Sequence, residues 1–130
     1  MTKILDIDGL RSIADNYDLF YIDLWGVIHN GIKLHDEAIL TLKKILEIKK
    51  EFVLLTNAPR PNETVKIFLE KMGMEKNLRN HVFTSGEASL NYLKKFHSTE
   101  SFFHIGPPRD FDLFNGFKGN QSNNLDTSQY

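Results

Sequence analysis

Short apolar runs alternate with longer amphipathic stretches along this chain, and that alternation restricts the folds open to it. Residues 19–24 and 52–55 are compact apolar runs, the pattern of strands buried on both faces of a parallel sheet. Residues 36–50 lie between them and repeat apolar side chains at the period of a helix. Strands that alternate with helices of this length form right-handed βαβ units. The sequence therefore predicts an α/β fold with an open parallel sheet.

The remaining elements follow from the same patterns. They are, in chain order, a short helix over residues 9–16 capped by Asp8, a helix over residues 61–73, a strand over residues 81–84, a helix over Ser85–Phe96 and a strand over residues 101–105. Ser85 is expected to be the N-cap of the third long helix, because its hydroxyl can accept a bond from the first turn.

Composition excludes several classes of function. Of the 130 residues, 41% are apolar and 25% are charged, as in ordinary globular proteins. Sixteen basic residues against seventeen acidic ones give a formal net charge of -1, which argues against a nucleic-acid-binding surface. The chain has no cysteine, and no run approaches the roughly 18 apolar residues of a membrane span. We expect a soluble cytoplasmic protein that binds neither nucleic acid nor membrane.

Polar residues follow the predicted strands, at the sheet edge where ligands of such folds bind. Asp23 ends the first strand, and its carboxylate could attack an electrophile or ligate Mg²⁺. Thr56 and Asn57 end the second strand, where they could bind phosphate oxygens or cap the turn. Arg60 could bind an anionic substrate or be a solvated loop residue, and Trp25 could stack on a substrate ring or pack in the core.

Two stretches resemble motifs of the haloacid-dehalogenase-like (HAD) hydrolases. Residues 21–31 (YIDLWGVIHNG) resemble motif I and the flap that follows it, and residues 54–57 (LLTN) resemble motif II. Residues 56–61 (TNAPRP) and 84–87 (TSGE) are similar to the class IIA subgroup, with an Asp-x-Trp-Gly-Val form of motif I. The resemblance implies the N-terminal part of a Rossmann-like HAD core with a parallel sheet.

What the resemblance implies about the site is specific. Asp23 takes the place of the nucleophile, and Thr56 with Asn57 would bind the phosphoryl group of a small phosphorylated metabolite. The implied cofactor is Mg²⁺, held by the carboxylate of Asp23 and the backbone carbonyl of Trp25. Trp25 stands at the second catalytic position of motif I, where the family has an Asp that serves as general acid and base. An indole cannot take that role, so hydrolysis of phosphate monoesters is expected to be weak.

The resemblance also implies an incomplete chain. The motif III lysine and the motif IV acidic pair are missing, and the chain stops inside what would be the cap domain. We expect residues 1–100 to form part of the core, residues 101–115 to begin the cap, and residues 116–130 to form a flexible polar tail. Such a chain is interpreted as a truncated enzyme that is weakly active or inactive alone. The alternatives are an interaction module, a homodimer, or half of a split enzyme that needs a complementary chain.

The residues alone leave two further alternatives open, one for the class of protein and one for the position of motif I. A receiver-type phosphoacceptor domain would also place an Asp after a strand, although its acidic pair lies further upstream than Asp6 and Asp8 do. Residues 6–10 (DIDGL) match the Asp-x-Asp-Gly pattern better than residues 23–26 do, but too few apolar residues precede them to form a buried strand.

Overall fold

A computed structural model describes residues 5–117 and 120–122. The main sheet has three strands, β1 (Leu19–Asp23), β2 (Glu51–Thr56) and β3 (Val82–Thr84), in the order β1-β2-β3. The helices are α1 (Leu5–Asp8), α2 (Asp36–Glu47), α3 (Asn62–Lys71), α4 (Lys76–Arg79) and α5 (Ser85–Phe96). This architecture confirms the predicted α/β fold with a parallel sheet. Across the described residues, we find no helix with the length and apolar character of a bilayer span.

The chain divides into two compact units. The first contains the residues up to Leu55 together with Leu69–Val82, and the second contains Thr56–Phe68 and the residues from Phe83 onward. The two are called the first and second units below. Asp23 lies in the first unit, whereas Thr56 and the residues that follow it in the loop lie in the second.

The first unit is built on the pairing of β1 with β2. The two strands are parallel, and their register runs from Leu19 opposite Glu51 to Asp23 opposite Leu55. The backbone N–H of Leu54 donates to the carbonyl of His81 over 2.9 Å, which joins β2 to the segment that leads into β3. The side chains with the least solvent exposure in this unit are Leu24, Ile28, Leu42, Phe52, Leu54, Leu69 and Leu78.

Only one face of the paired strands is buried. Phe20 is 9% exposed, whereas its neighbours Leu19 and Tyr21 are 39% and 69% exposed because successive side chains of a strand point to opposite faces. Leu55 on β2 is also exposed, at 43%. The prediction that these strands are buried on both faces is therefore wrong for the described residues. The compact apolar runs indicated the strands correctly. A strand is buried on both faces only when elements pack against both sides of the sheet, and an apolar run alone does not show this.

The N-terminal segment differs from its prediction. In place of one helix over residues 9–16, two short 3₁₀ turns cover Leu10–Ser12 and Ala14–Asn16. Gly9 has a φ of 70°, a left-handed conformation that breaks the helical path, so Asp8 ends α1 and does not cap a following helix. The Asp6-Ile7-Asp8 stretch lies in the four-residue helix α1, whereas Asp23 ends a strand, so the described residues favour Asp23 as the nucleophile.

Two helices end earlier than predicted, and one was missed. The helix expected over residues 36–50 ends at Glu47, and Lys49 beyond it has a left-handed φ of 58°. The helix expected to extend to Gly73 ends at Lys71, with Gly73 at a φ of 89°. The missed helix, α4, has only four residues, too few to show a helical period in the sequence.

The second unit contains α5 and a small second sheet. Strand β4 (Ser101–Phe102) pairs in parallel with β5 (Asn120–Gln121), and a 3₁₀ segment spans Pro108–Phe114 between them. The fourth strand was expected over residues 101–105, so it is shorter than predicted. Part of the predicted tail, Asn120–Gln121, is strand; residues 118–119 and 123–130 lie outside the described residues. The division into core, cap and tail stays a prediction.

Candidate active site

Asp23 lies at the carboxyl end of β1 with its side chain exposed to solvent. Its Oδ1 accepts a hydrogen bond of 2.9 Å from the backbone N–H of Leu24. Leu24 is 2% exposed and points into the core, whereas Trp25 is 65% exposed. Because side chains alternate along an extended chain, this pattern places Asp23 and Trp25 on the same side of the backbone. The core position that was one alternative for Trp25 is therefore wrong.

The backbone after Asp23 forms a tight loop over residues 24–34, called here the Trp25 loop. The N–H of Gly26 donates to the carbonyl of His29 over 2.8 Å, and the N–H of Ile28 donates to the carbonyl of Leu24 over 2.9 Å. His29 also forms an antiparallel bridge with Leu34. These bonds satisfy backbone groups inside the loop and hold it as a fixed structure next to the candidate nucleophile.

His29 is a buried residue of the Trp25 loop that contacts two other residues of the loop. It is 5% exposed, and its Nδ1 accepts a hydrogen bond of 3.0 Å from the backbone N–H of Gly31. An accepting Nδ1 must be unprotonated, so the neutral ring carries its proton on Nε2. The ring also meets the indole of Trp25 edge-on, with centroids 5.5 Å apart and planes at 89°. The neutral imidazole of His29 therefore contacts both the backbone of Gly31 and the indole of Trp25.

We expect the stability of the protein to fall in acid through His29. Burial lowers the pKa of His29 from its ordinary value, His35 lowers it further, and the opposing effect of Asp23 is smaller. The unfolded chain therefore binds this proton more readily than the folded one. The stabilisation is complete above a pH of about 6.5, the ordinary value, and is lost as the pH falls through the lowered one.

Thermal unfolding of wild type and His29→Asn over a pH series measures this effect. Asparagine offers an acceptor oxygen near the position of Nδ1 but does not titrate. The wild type should lose more stability than the variant below the ordinary histidine pKa. Parallel pH profiles for the two proteins would contradict the assignment to His29.

Thr56 and Asn57 begin the second unit at the end of β2. Thr56 is 9% exposed, and its Oγ1 accepts a hydrogen bond of 3.3 Å from the backbone N–H of Ala58. Asn57 is exposed. The hydroxyl of Thr56 therefore shapes the turn, as one alternative for it predicted, while its own proton can be donated to an oxygen acceptor.

A network of hydrogen bonds holds the loop after Thr56, and it is called here the loop clamp. Thr84 is 0% exposed; its Oγ1 donates to the carbonyl of Arg60 over 2.5 Å and accepts from the N–H of Glu87 over 2.9 Å. The N–H of Thr84 donates to Oδ1 of Asn62 over 2.9 Å, and the N–H of Asn62 donates to Oε2 of Glu87 over 3.0 Å. Four hydrogen bonds thereby join four residues at the starts of α3 and α5.

Gly86 completes the loop clamp by its small size. Its N–H donates to the carbonyl of Ala58 over 3.1 Å, and Ser85 Oγ donates to the same carbonyl over 3.1 Å. An added Cβ on Gly86 would lie 2.3 Å from the backbone nitrogen of Arg60. The N-cap of α5 is Thr84, so the prediction of Ser85 as the cap is wrong by one residue; Ser85 bonds to the loop. The sequence signal for this role was a Gly next to hydroxyl residues at a helix start.

Arg60 contacts a buried carboxylate. Its Nη2 and Nε both lie 3.4 Å from Oδ1 of Asp110, and Nη2 donates to the carbonyl of Arg109 over 3.1 Å. Asp110 is only 7% exposed, so the guanidinium compensates a charge that is costly to bury alone. Arg60 is therefore not a freely solvated loop residue, and its predicted binding of an anionic substrate stays a prediction.

The pairing of β1 with β2 places Asp23 at the carboxyl end of the strand pair in the first unit. Asp23 is opposite Leu55 in the register, and Leu55 directly precedes Thr56 in the chain. Among residues 5–117 and 120–122, no group of three or more His, Cys, Asp or Glu side chains could hold a metal ion. The chemistry of Asp23 and the carbonyl of Trp25 still fits Mg²⁺, which prefers oxygen ligands and commonly takes one or two carboxylates with water and phosphate.

Known proteins resemble this chain in sequence and in structure. Residues 20–117 match the family model described as haloacid dehalogenase-like hydrolase, and the chain belongs to that family. No curated protein matches the chain.

Solved structures match most of this chain but less than half of their own length. A haloacid dehalogenase-like hydrolase from Brucella suis 1330 has a TM-score of 0.77 and 26% identity, covering 98% of this chain and 46% of its own. A putative nagD protein has a TM-score of 0.67 and 25% identity, with coverages of 83% and 43%. A glycerol phosphate phosphatase from Mycobacterium tuberculosis, in complex with magnesium, has a TM-score of 0.64 and 19% identity, with coverages of 88% and 34%. The class IIA relationship is thereby confirmed for the N-terminal part.

Proposed function

We propose that this chain supplies the nucleophile and the phosphate-binding loop of a Mg²⁺-dependent phosphatase that acts on a small phosphorylated metabolite. The observation that carries the proposal is Asp23, an exposed carboxylate at the end of β1 whose register partner directly precedes Thr56. A carboxylate oxygen of Asp23 attacks phosphorus, the ester P–O bond breaks, and an aspartyl phosphate forms. Water then hydrolyses this intermediate, which releases phosphate and restores the carboxylate.

The other site residues take supporting roles in this proposal. The hydroxyl of Thr56 and the amide of Asn57 donate to the phosphoryl oxygens and orient the group for in-line attack. The carboxylate of Asp23 and the carbonyl of Trp25 would hold Mg²⁺, which compensates the phosphoryl charge when bound. The magnesium complex of the phosphatase from Mycobacterium tuberculosis supports this choice of metal. Arg60 pairs with Asp110, so it would bind the anionic substrate only through guanidinium N–H groups that Asp110 does not use.

Trp25 determines which substrates react well. Its indole N–H is too weakly acidic to protonate a departing alkoxide, so the leaving group must be stable without a proton. Acyl and aryl phosphates meet this condition, whereas simple alkyl phosphates do not. We therefore expect acetyl phosphate and p-nitrophenyl phosphate to react faster than glycerol phosphate.

The test is Mg²⁺-dependent hydrolysis of acetyl phosphate and p-nitrophenyl phosphate by the purified chain. Asp23→Asn should lower kcat by about a thousandfold or more, because the amide is not a nucleophile. Asp15→Asn is the matched control, since Asp15 is also an exposed carboxylate of the first unit, and it should leave the rate unchanged. Turnover that survives in Asp23→Asn would refute the assignment of the nucleophile.

A second candidate function follows from the exposed face of β1 and β2. Leu19, Tyr21 and Leu55 are 39%, 69% and 43% exposed on that face, an apolar surface that favours association. The chain would then act as an interaction module that pairs with a complementary chain or with a second copy of itself. The hydrolysis assay separates the two candidates. Turnover lost in Asp23→Asn favours the enzyme, whereas a rate equal to the Asp23→Asn background favours the interaction module.

A further inference from the structure

Trp25 is an aromatic side chain exposed beside the candidate nucleophile. It is 65% exposed and emerges on the same side of the backbone as Asp23, because the intervening Leu24 is buried at 2%. Alternate residues of an extended chain are about 6.6 Å apart. Trp25 is two residues from Asp23 on this side, so its indole is a candidate contact for the leaving group of a phosphate ester bound at the Asp23 carboxylate.

The Trp25 loop holds this indole in place without burying it. A Cβ on Gly31 would lie 2.7 Å from Cη2 and 2.9 Å from Cζ3 of Trp25, so the benzo edge of the indole lies directly against the Gly31 backbone. Gly31 has a φ of 88°, and its N–H bonds to Nδ1 of His29, whose ring meets the indole edge-on. An aromatic surface fixed before a ligand arrives loses little conformational entropy when the ligand binds.

We propose that the indole of Trp25 is a stacking surface for a planar aromatic ring in the leaving group, which makes aryl phosphates the substrate class of this site. The inference rests on the proposed function, because that function places the phosphoryl group at Asp23. In a reactive complex the phosphorus lies about 3 to 3.5 Å from the attacking oxygen. A ring bonded directly to the ester oxygen then lies close to the indole, whereas an alkyl group of the same size presents no flat face to it.

The protein contains a single tryptophan, so its intrinsic fluorescence reports on Trp25 alone. We would titrate the chain, with Mg²⁺ present, with phenyl phosphate, cyclohexyl phosphate and inorganic phosphate, exciting at the red edge of the indole absorption. Phenyl and cyclohexyl phosphate carry the same charge and nearly the same volume, and only phenyl phosphate is planar. Phenyl phosphate should quench the emission saturably and bind about three- to tenfold more tightly than cyclohexyl phosphate.

Two variants assign the preference to the indole. Trp25→Leu should bind phenyl and cyclohexyl phosphate equally when followed by calorimetry, and Trp25→Phe should keep part of the preference. Because Trp25 is mostly exposed, both variants should fold, and circular dichroism verifies this. Equal affinity of the wild type for the two ligands, absence of binding by all three, or a preference that persists in Trp25→Leu would each overturn the inference.

The experiments distinguish a failure of the stacking surface from a failure of the proposed function. Turnover that depends on Asp23 but shows no preference for the aromatic ring overturns only the stacking surface. Ring-selective quenching without turnover removes the proposed catalysis and leaves an aryl phosphate binding site.

Discussion

Thr84→Val should destabilise the protein by about 2 to 4 kcal/mol, because valine keeps the shape of threonine but removes its hydroxyl. The hydroxyl makes two hydrogen bonds at a position that is 0% exposed, one to the carbonyl of Arg60 and one from the N–H of Glu87. Without it, both part-buried backbone groups lose these partners, and a fully buried group left without one costs about 1 to 3 kcal/mol. Urea denaturation, read as a shift in midpoint at constant slope, measures the loss.

Thr84→Ser is the matched control for this prediction. Serine keeps both hydrogen bonds and loses one buried methyl group, so it should cost only about 1 kcal/mol. If Thr84→Val cost no more than Thr84→Ser, the two hydrogen bonds would contribute no more than one buried methyl group, and the prediction would be wrong.

Gly86→Ala should also destabilise the protein, although alanine is the better helix former. Its Cβ would lie 2.3, 2.5 and 2.7 Å from the backbone nitrogen, oxygen and carbonyl carbon of Arg60, which cannot rotate away as a flexible side chain would. Overpacking of this kind costs up to about 3 kcal/mol. The gain in helix propensity offsets about 1 kcal/mol, so a net loss of about 2 kcal/mol is expected in the same denaturation experiment.

Ser89→Ala tests the same helix at an exposed position. Ser89 donates its hydroxyl to the carbonyl of Ser85 one turn earlier, and alanine should leave stability within about 0.5 kcal/mol of wild type. A Gly86→Ala protein as stable as Ser89→Ala would show that the loop can move away from α5, and that the close approach of Arg60 is not required by the fold.

The two predictions bear on the site because the loop clamp fixes the segment that follows Thr56 and Asn57. Bonds from Gly86 and Ser85 reach the carbonyl of Ala58, only one residue beyond Asn57. A clamp variant that still folds should therefore bind phosphate less tightly, since the donors on this loop would be less well placed.

The sequence by itself determined the order of strands and helices and the position of Asp23 at the end of a strand. These features depend on apolar periodicity within short stretches of the chain, so the β2 strand and α5 were predicted nearly residue for residue. The family motifs were likewise readable, because each is a continuous run. The predicted helix bounds were wrong where a single residue turned the backbone out of the helical conformation. Gly9 and Lys49 are such residues, with left-handed φ angles of 70° and 58°.

Only the tertiary structure decided what the site residues contact. Thr84 and Arg60 are 24 positions apart in the chain, and Arg60 and Asp110 are 50 apart, so neither contact follows from a local pattern. The same holds for exposure: Trp25 and Tyr21 are as apolar as core residues, yet they lie in solvent because burial depends on what packs against them. Residue type and spacing fix local conformation, whereas burial and hydrogen-bond partners depend on residues brought together by folding.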